Sequence, residues 1–221
     1  RLLPPGSPVT LYNGSVKPWQ SGQAGVIDID VGNRDLQQCA DAVIRLRAEY
    51  LRVRGRDNQI CFRFSDGSRA SWSRWAQGER PVMGTKPTAW KRTARPSSSY
   101  SSFKNYLTRV FQFAGTASLE KELRHLRPDQ PIEPGDVFIK GGYPGHAVIV
   151  VDVVQNAEGE RLFAIAQSYM PAQSIHVLKN PSEPEMTPWY RYLPGAPLLT
   201  PEWDFDGNSL YRFPENGCSS H

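Results

Sequence analysis

The sequence of 221 residues has few cysteines, few histidines and no long apolar run. Its three cysteines, Cys39, Cys61 and Cys218, are too few and too unevenly spaced for a disulfide scaffold or a CxxC metal site, although one bridge could form. None of the four histidines occurs in an HExxH or similar spacing, so we expect no metal site. No apolar run approaches the roughly 20 residues that cross a bilayer, so we expect no transmembrane segment.

The composition is that of a globular chain. Hydrophobic residues make up 39% of it, and aromatic residues are spread along its whole length, which predicts a single domain over residues 1–221. The net charge of +4 is compatible with an anionic partner, such as a nucleic acid or a cell-wall polymer. However, apart from modest clusters at 45–56 and 86–95, the basic residues are scattered as on a solvated surface. We therefore expect no nucleic-acid partner, and the oligomeric state stays open.

Irregular segments and regular elements alternate along the chain. Stretches rich in proline, glycine or serine predict an extended N-terminal arm at 1–23, a long loop at 76–102 and an irregular C-terminal segment at 180–221. Apolar periodicity predicts strands at 25–32, 60–64, 137–139, 146–154 and 161–170, a helix that begins near Asp35, and two helices at 103–111 and 119–126. The turn at Asp66-Gly67 makes the strand at 60–64 part of a hairpin.

A single histidine stands at the start of a long β-branched strand in "PGDVFIKGGYPGHAVIVVDVV". If the following hairpin centres between residues 157 and 158, Val148 lies opposite Gln167, and Gln167 shares a face with His146. Diagonal neighbours of this kind lie about 7–8 Å apart, within reach of a long polar side chain. We therefore predict that Gln167 orients the imidazole, whereas a register slip by one residue would place Ser168 there instead. Alternatively, the His146 ring bonds only to the backbone.

Cys39 is the one cysteine placed at the start of a predicted helix. With Asp35 as the N-cap, it would fall just after the first turn, on the apolar stripe. The partial positive charge of a helix N-terminus and a nearby imidazolium both lower a thiol pKa, so we expect a value below the usual 8.5 or so. The alternative is that Cys39 is a small buried hydrophobic residue. Arg47 lies in the same stripe, so it should either pair with a carboxylate or line a cleft.

The order of Cys39, "PGDVF", "GHAVIVVD" and a polar residue on the next strand resembles the NlpC-type and CHAP-type branch of papain-like cysteine peptidases and amidases. The resemblance implies an α+β, papain-like fold, in which an antiparallel sheet packs against a buried helix carrying Cys39, with additional helices and long loops. It also implies hydrolysis of amide bonds without a cofactor, with Cys39 as nucleophile, His146 as base and Gln167 as the orienting residue. Backbone N–H groups at the helix start would hold the oxyanion, together with Asn33 or Gln38. A peptide or peptidoglycan-like substrate from the cell wall would fit this chemistry.

The whole chain also resembles a bacterial secreted family of undefined function. The segments that carry this resemblance are "RDLQQCADAVIRLRAEYL", "AGTASL" and "AQSYMPAQSIHVL". The chain begins at Arg1 rather than Met, which is typical of a processed product. We therefore expect a secreted, periplasmic or cell-envelope location.

A second function is a non-catalytic relative that binds glycan or peptide. Trp72, Trp75 and Trp90 lie in or near the predicted long loop, where aromatic rings could stack on a sugar or an extended peptide. Tyr143, in the glycine-rich turn before His146, is a further predicted binding residue.

Overall fold

The computed structural model describes residues 1–82, 84, 86–215 and 217. The strands are β1 (Gln23–Val26), β2 (Cys61–Arg63), β3 (Arg69–Ser71), β4 (Glu79–Val82), β5 (Ala89–Arg92), β6 (Arg124–His125), β7 (Val137–Lys140), β8 (His146–Gln155), β9 (Arg161–Gln167), β10 (His176–Leu178), β11 (Tyr190–Arg191), β12 (Leu198–Leu199), β13 (Asp204–Phe205) and β14 (Leu210–Arg212). The α-helices are α1 (Cys39–Val53), α2 (Trp72–Ala76), α3 (Tyr100–Phe113) and α4 (Thr116–Glu122).

One eight-stranded antiparallel sheet organises the protein. Its order is β1-β10-β9-β8-β7-β14-β6, and β11 pairs with β9 beside β10. Alternate residues of β8 face opposite sides: Ala147 and Ile149 pack in a core that includes α1 and α3, while Val148 and Val150 pack in a second core. The sheet is therefore covered on both faces.

The predicted papain-like α+β fold is wrong. The chain is 28% strand and 22% helix, and the large antiparallel sheet dominates it. Three additional pairs, β2–β3, β4–β5 and β12–β13, form small sheets of their own. The prediction rested on the order of Cys39, His146 and Gln167 along the chain, whereas six of the eight strands in the large sheet have only two to four residues each. Strands of two to four residues are too short to show a side-chain alternation in the sequence.

The segments predicted to be irregular contain several of these short strands. Residues 76–102 include the hairpin β4–β5, whose Pro81 masks the strand pattern, and residues 180–221 include β11 to β14. The predicted strand at 25–32 is shifted, because β1 ends at Val26. The N-terminal arm is tied down by the Leu3 N–H, which donates to the Val26 carbonyl at 2.8 Å. The hairpin β2–β3 and the helix α3 lie where they were predicted, while α4 ends at Glu122, before Leu126.

Helix α1 begins one turn later than the predicted cap, so Cys39 is its first residue. Gln38 is the N-cap, and its N–H donates to the Asp41 carboxylate at 3.1 Å. Asp35 instead accepts from the Ala172 N–H at 2.7 Å, which ties the loop before α1 to the loop after β9. The first helical hydrogen bond runs from the Ala42 N–H to the Gln38 carbonyl. The N–H groups of the preceding residues therefore point out of the helix end.

The hairpin β8–β9 has the predicted register at the end that carries His146 and Gln167, and a different register near its turn. Near the turn, Gln155 lies opposite Arg161, one residue away from the predicted pairing. An irregularity between Val150 and Asp152 shifts the register, so that Ile149 lies opposite Ala166. Continued by one residue, this register sets Val148 opposite Gln167.

A buried arginine anchors α1 to its surroundings. The Arg45 side chain, only 2% exposed, donates to Glu49 at 2.8 Å, to Gln37 at 2.9 Å and to Asp30 at 3.1 Å. The Tyr100 hydroxyl at the start of α3 lies 3.1 Å from the same guanidinium and donates to Glu49. Arg45 thereby holds the loop before α1 and the first turn of α3 together.

We expect Arg45→Met to lower the free energy of unfolding by about 3–5 kcal/mol, because it leaves buried acceptors and a carboxylate without their cation. The matched control is Arg74→Met, which removes the more exposed pair with Glu79 and should cost about 0–1 kcal/mol. Urea unfolding curves measure both. Equal losses in the two variants would show that Arg45 adds no more than a surface pair.

Candidate functional site

A chain of buried hydrogen bonds fixes the His146 ring. Its Nε2 lies 2.7 Å from the Gln167 Oε1, and the Gln167 Nε2 donates to a Glu202 carboxylate oxygen at 2.6 Å. The Lys17 ammonium contacts both Glu202 oxygens at 2.7 and 2.8 Å. A carboxylate only accepts hydrogen bonds, so the amide nitrogen of Gln167 must face Glu202 and its oxygen must face the ring. This network assigns the proton to Nε2 of His146 and leaves the lone pair on Nδ1.

The predicted contact between Gln167 and His146 is therefore confirmed. Each is placed by a strand: His146 begins β8 and Gln167 ends β9. Three aromatic rings surround the imidazole, with centroid distances of 4.9 Å to Tyr169, 5.5 Å to Trp203 and 6.0 Å to Phe205. Burial in this setting lowers the pKa of His146 to about 4, although the Gln167 hydrogen bond opposes that shift. The resting imidazole is neutral at physiological pH.

His176 on β10 is a second buried histidine in the same network. Its Nδ1 lies 2.8 Å from the Ser174 carbonyl oxygen, and its Nε2 lies 3.9 Å from Glu202. Burial is the main cause that lowers the pKa of His176 to about 4; the Ser174 hydrogen bond opposes this shift, and the nearby Lys17 charge acts in the same direction as burial. Glu202 thus faces Lys17, Gln167 and His176 at once.

Cys39 and His146 line one cavity of about 380 Å³, which we call the Cys39 cavity. Tyr169, Trp203 and Tyr143 also line it. Cys39 is a free thiol, and among the described residues no hydrogen bond joins it to His146. The two side chains therefore share a cavity without direct contact by hydrogen bonding.

The expected low pKa of Cys39 is wrong. Burial, with the thiol residue only 8% exposed, raises the pKa of Cys39 to about 11, and the neighbouring Asp41 charge adds to the rise. Backbone amides of Ala40 and Ala147 act in the opposite direction but do not outweigh burial. The resting pair is a thiol and a neutral imidazole.

The two side chains predicted for the oxyanion lie apart. Gln38 lines the Cys39 cavity, but its amide nitrogen donates to Asp35 at 2.9 Å. Asn33 lines a different cavity, beside Lys104 and Asn105. The donors next to the sulfur are the N–H groups of Cys39 and Ala40 at the start of α1, and that of Ala147 on β8.

The predicted aromatic binding residues also separate. Trp72 and Trp75 are buried in the core against α3, so neither ring is available to stack on a ligand. Trp90 is half-buried, outside the Cys39 cavity, with the Arg74 guanidinium 4.9 Å from its ring centre. Tyr143 alone lies at the Cys39 cavity, and it is 97% exposed.

Sequence reasoning missed the two charged residues behind Gln167, Lys17 and Glu202, as well as His176, Tyr169 and Trp203. Lys17 and Glu202 lie in the segments 1–23 and 180–221, which were predicted to be irregular, and neither falls in a periodic pattern. Of the other cysteines, Cys61 is disulfide-bonded and Cys218 lies outside the described residues. In the described part of the chain no group of histidine, cysteine and acidic residues could hold a metal ion.

The chain belongs to the DUF4846 family, a domain of unknown function, whose model matches residues 1–212. The resemblance to a family of undefined function is thereby confirmed. No curated protein and no solved structure matches the chain. Within the described ranges, none of the helices has the length and apolar character needed to cross a membrane.

The two buried histidines predict an acid-sensitive contribution to stability. Their pKa values fall from 6.5 in the unfolded chain to about 4 in the fold, so between these values the unfolded state binds more protons. Their contribution is complete above pH 6.5 and is lost as the pH falls toward 4, by roughly 3 kcal/mol for each histidine. We expect His176→Asn and His146→Gln each to flatten the fall in stability between pH 7 and pH 4.5.

Urea titrations at several pH values measure this slope, and subtracting each variant from the native protein isolates the histidine. His125→Gln is the control, because His125 lies exposed on β6, away from the network. A slope unchanged in both buried-site variants would mean that neither imidazole is kept neutral by the fold.

Proposed function

We propose that this protein is a cysteine hydrolase of amide bonds, with Cys39 as nucleophile and His146 as general base. The observation that carries the proposal is the hydrogen-bonded chain behind His146, which holds Nε2 as a donor and leaves Nδ1 free to accept a proton, in a cavity that a free thiol also lines. Gln167 is the positioning residue, and Glu202 with Lys17 fixes its amide. The order of Cys39, His146 and Gln167 along the chain resembles that of NlpC-type and CHAP-type hydrolases.

In the first half of the reaction, Nδ1 of His146 takes the thiol proton as the sulfur attacks the amide carbon. This step requires the thiol and Nδ1 to meet by side-chain rotation, because no hydrogen bond links them at rest among the described residues. The N–H groups of Cys39 and Ala40 are the donors available to the developing oxyanion. The imidazolium then gives its proton to the leaving amine, which departs as the C–N bond breaks and a thioester remains.

In the second half, water attacks the thioester with His146 again as the base. The products are a carboxylate and the restored Cys39 thiol, so the cycle balances without a cofactor. The active form of the free protein has a neutral imidazole. Because the pKa of His146 is about 4, the rate should be lost only as the pH falls through about 4.

We place the substrate among peptides of the bacterial cell wall, and the protein outside the cytoplasm. The disulfide at Cys61 supports this location, because disulfides persist in oxidising compartments. Tyr143 supports a polymeric substrate, since an exposed ring at the cavity mouth can stack on a chain that extends beyond the reacting bond. The competing glycan- or peptide-binding function has lost two of the three tryptophans predicted for it, because Trp72 and Trp75 lie in the core.

The test of catalysis is the release of amino groups from purified peptidoglycan and from soluble cell-wall peptides. We expect Cys39→Ala and His146→Ala to lower the rate at least 100-fold, since positioned acid–base catalysis contributes about 10²–10⁴-fold. The matched control His125→Ala should keep the native rate, because His125 lies outside the Cys39 cavity. Turnover that persists in Cys39→Ala would end the proposal. Binding without turnover in the native protein would favour the non-catalytic function.

The neutral resting pair predicts a characteristic labelling profile for Cys39. With the thiol pKa near 11, reaction with iodoacetamide should rise about tenfold per pH unit from pH 7 to pH 10, with no plateau. Mass-spectrometric mapping after timed labelling measures the rate at this one cysteine. A rate that is already constant between pH 6 and pH 8 would instead show a stable thiolate–imidazolium pair.

A further inference from the structure

Arg47 is a cation on a helix face that should be apolar. It lies on α1, half-buried, with its guanidinium carbon 5.1 Å from the ring centre of Phe213. Over the described ranges it makes no ion pair and no hydrogen bond. Burial and the nearby Arg56 charge lower the pKa of Arg47. Two like charges on one partly dehydrated surface cost free energy unless an anion compensates them.

Both arginines line a cavity of about 830 Å³, here called the Arg47 cavity. Apolar groups make up much of its wall, including Leu46, Ile149 and Phe213. None of the described residues lines both this cavity and the Cys39 cavity, so the two are separate sites.

The described acids that line the Arg47 cavity form no ion pair with Arg47 or Arg56. Asp136 and Glu133 are bound to Arg212, at 2.6 and 3.0 Å. Glu215 also lines the cavity but lies within ion-pair distance of no described cation. The remaining acid that acts on Arg47 is Glu122, which lies outside this cavity, and burial raises its pKa to about 7. Arg124, exposed and unpaired among the described residues, adds a third positive charge at the rim.

We propose that the Arg47 cavity binds a small amphipathic anion, whose carboxylate or phosphate head lies between Arg47 and Arg56. Its apolar body packs against Leu46, Ile149 and Phe213. Arginine suits this role because its planar guanidinium binds carboxylate and phosphate groups in a bidentate manner. The charged wall of the cavity favours an anionic head, and the apolar wall favours a hydrocarbon body. A simple salt ion would leave the apolar wall uncovered.

Isothermal titration calorimetry with octanoate, octyl phosphate and 1-octanol tests this proposal on the whole chain. Octanoate and octyl phosphate should both bind, and octyl phosphate should bind more tightly because its head carries more negative charge. The uncharged 1-octanol should bind at least tenfold more weakly than either anion. Raising the salt from about 50 to 500 mM should weaken the anions but not the alcohol, because exposed charge interactions are screened. Arg47→Met and Arg56→Met should each weaken anion binding at least tenfold.

The matched control is Arg92→Met, which removes the same charge from β5, outside the Arg47 cavity, and should change affinity less than twofold. Thermal unfolding shows whether each variant folds. Arg47→Met should be at least as stable as the native protein, because it replaces an unpaired charge with an apolar chain. If Arg47→Met does not fold, the affinity of Arg56→Met for the two anions tests the proposal in its place. The proposal is overturned if no anion binds at millimolar concentration, if octanol binds equally well, or if Arg47→Met behaves like Arg92→Met.

Discussion

The buried ion pair between Lys17 and Glu202 is the interaction on which the candidate site depends. The two side chains are only 11% and 15% exposed, and each comes from a segment with little regular structure. Dehydrating both charges is costly, so the pair persists because further hydrogen bonds satisfy it, including the one from Gln167. The pair holds the N-terminal arm and the C-terminal segment against the sheet. It also dictates which end of the Gln167 amide faces His146, and hence which ring nitrogen carries the proton.

The bulge in β8 is the second constraint on the site. A strand alternates its side chains with a period of two, so a shift by one residue moves every side chain to the other face. The turn of the hairpin is displaced by one residue from the predicted centre, and the irregularity between Val150 and Asp152 compensates for it. His146 and Gln167 therefore meet although the predicted turn was wrong. Val150 and Val151, at the irregularity in the middle of β8, line the Arg47 cavity.

The sequence predicted those parts of the site that lie in long regular elements. His146 and Gln167 begin and end strands of ten and seven residues, where alternation is readable. Cys39 was placed on the right helix but one turn too deep, because Asp35 looked like a cap and is used in a long-range contact with Ala172. Lys17 and Glu202 have no periodic context, and the papain-like fold failed for the same reason: most of the added strands are too short to leave a pattern. The sequence left open whether Arg47 pairs with a carboxylate or lines a cleft, because that choice depends on residues far away along the chain; in the structure it lines a cavity.

The large difference between the pKa values of Cys39 and His146 makes the transfer of the thiol proton to the imidazole a costly step of the proposed reaction. Moving the proton from a thiol with a pKa near 11 to an imidazole with a pKa near 4 costs on the order of 10 kcal/mol if each charge forms alone. The true cost is smaller, because the thiolate and imidazolium attract each other in a cavity of low dielectric constant and titrate as a pair. The N–H groups at the start of α1 stabilise the charged sulfur more than the thiol, and Gln167 stabilises the imidazolium more than the neutral ring. A bound substrate that excludes water would benefit from the attraction between the two charges, from the α1 N–H groups and from Gln167 together. A small alkylating reagent, which needs a free thiolate, would not.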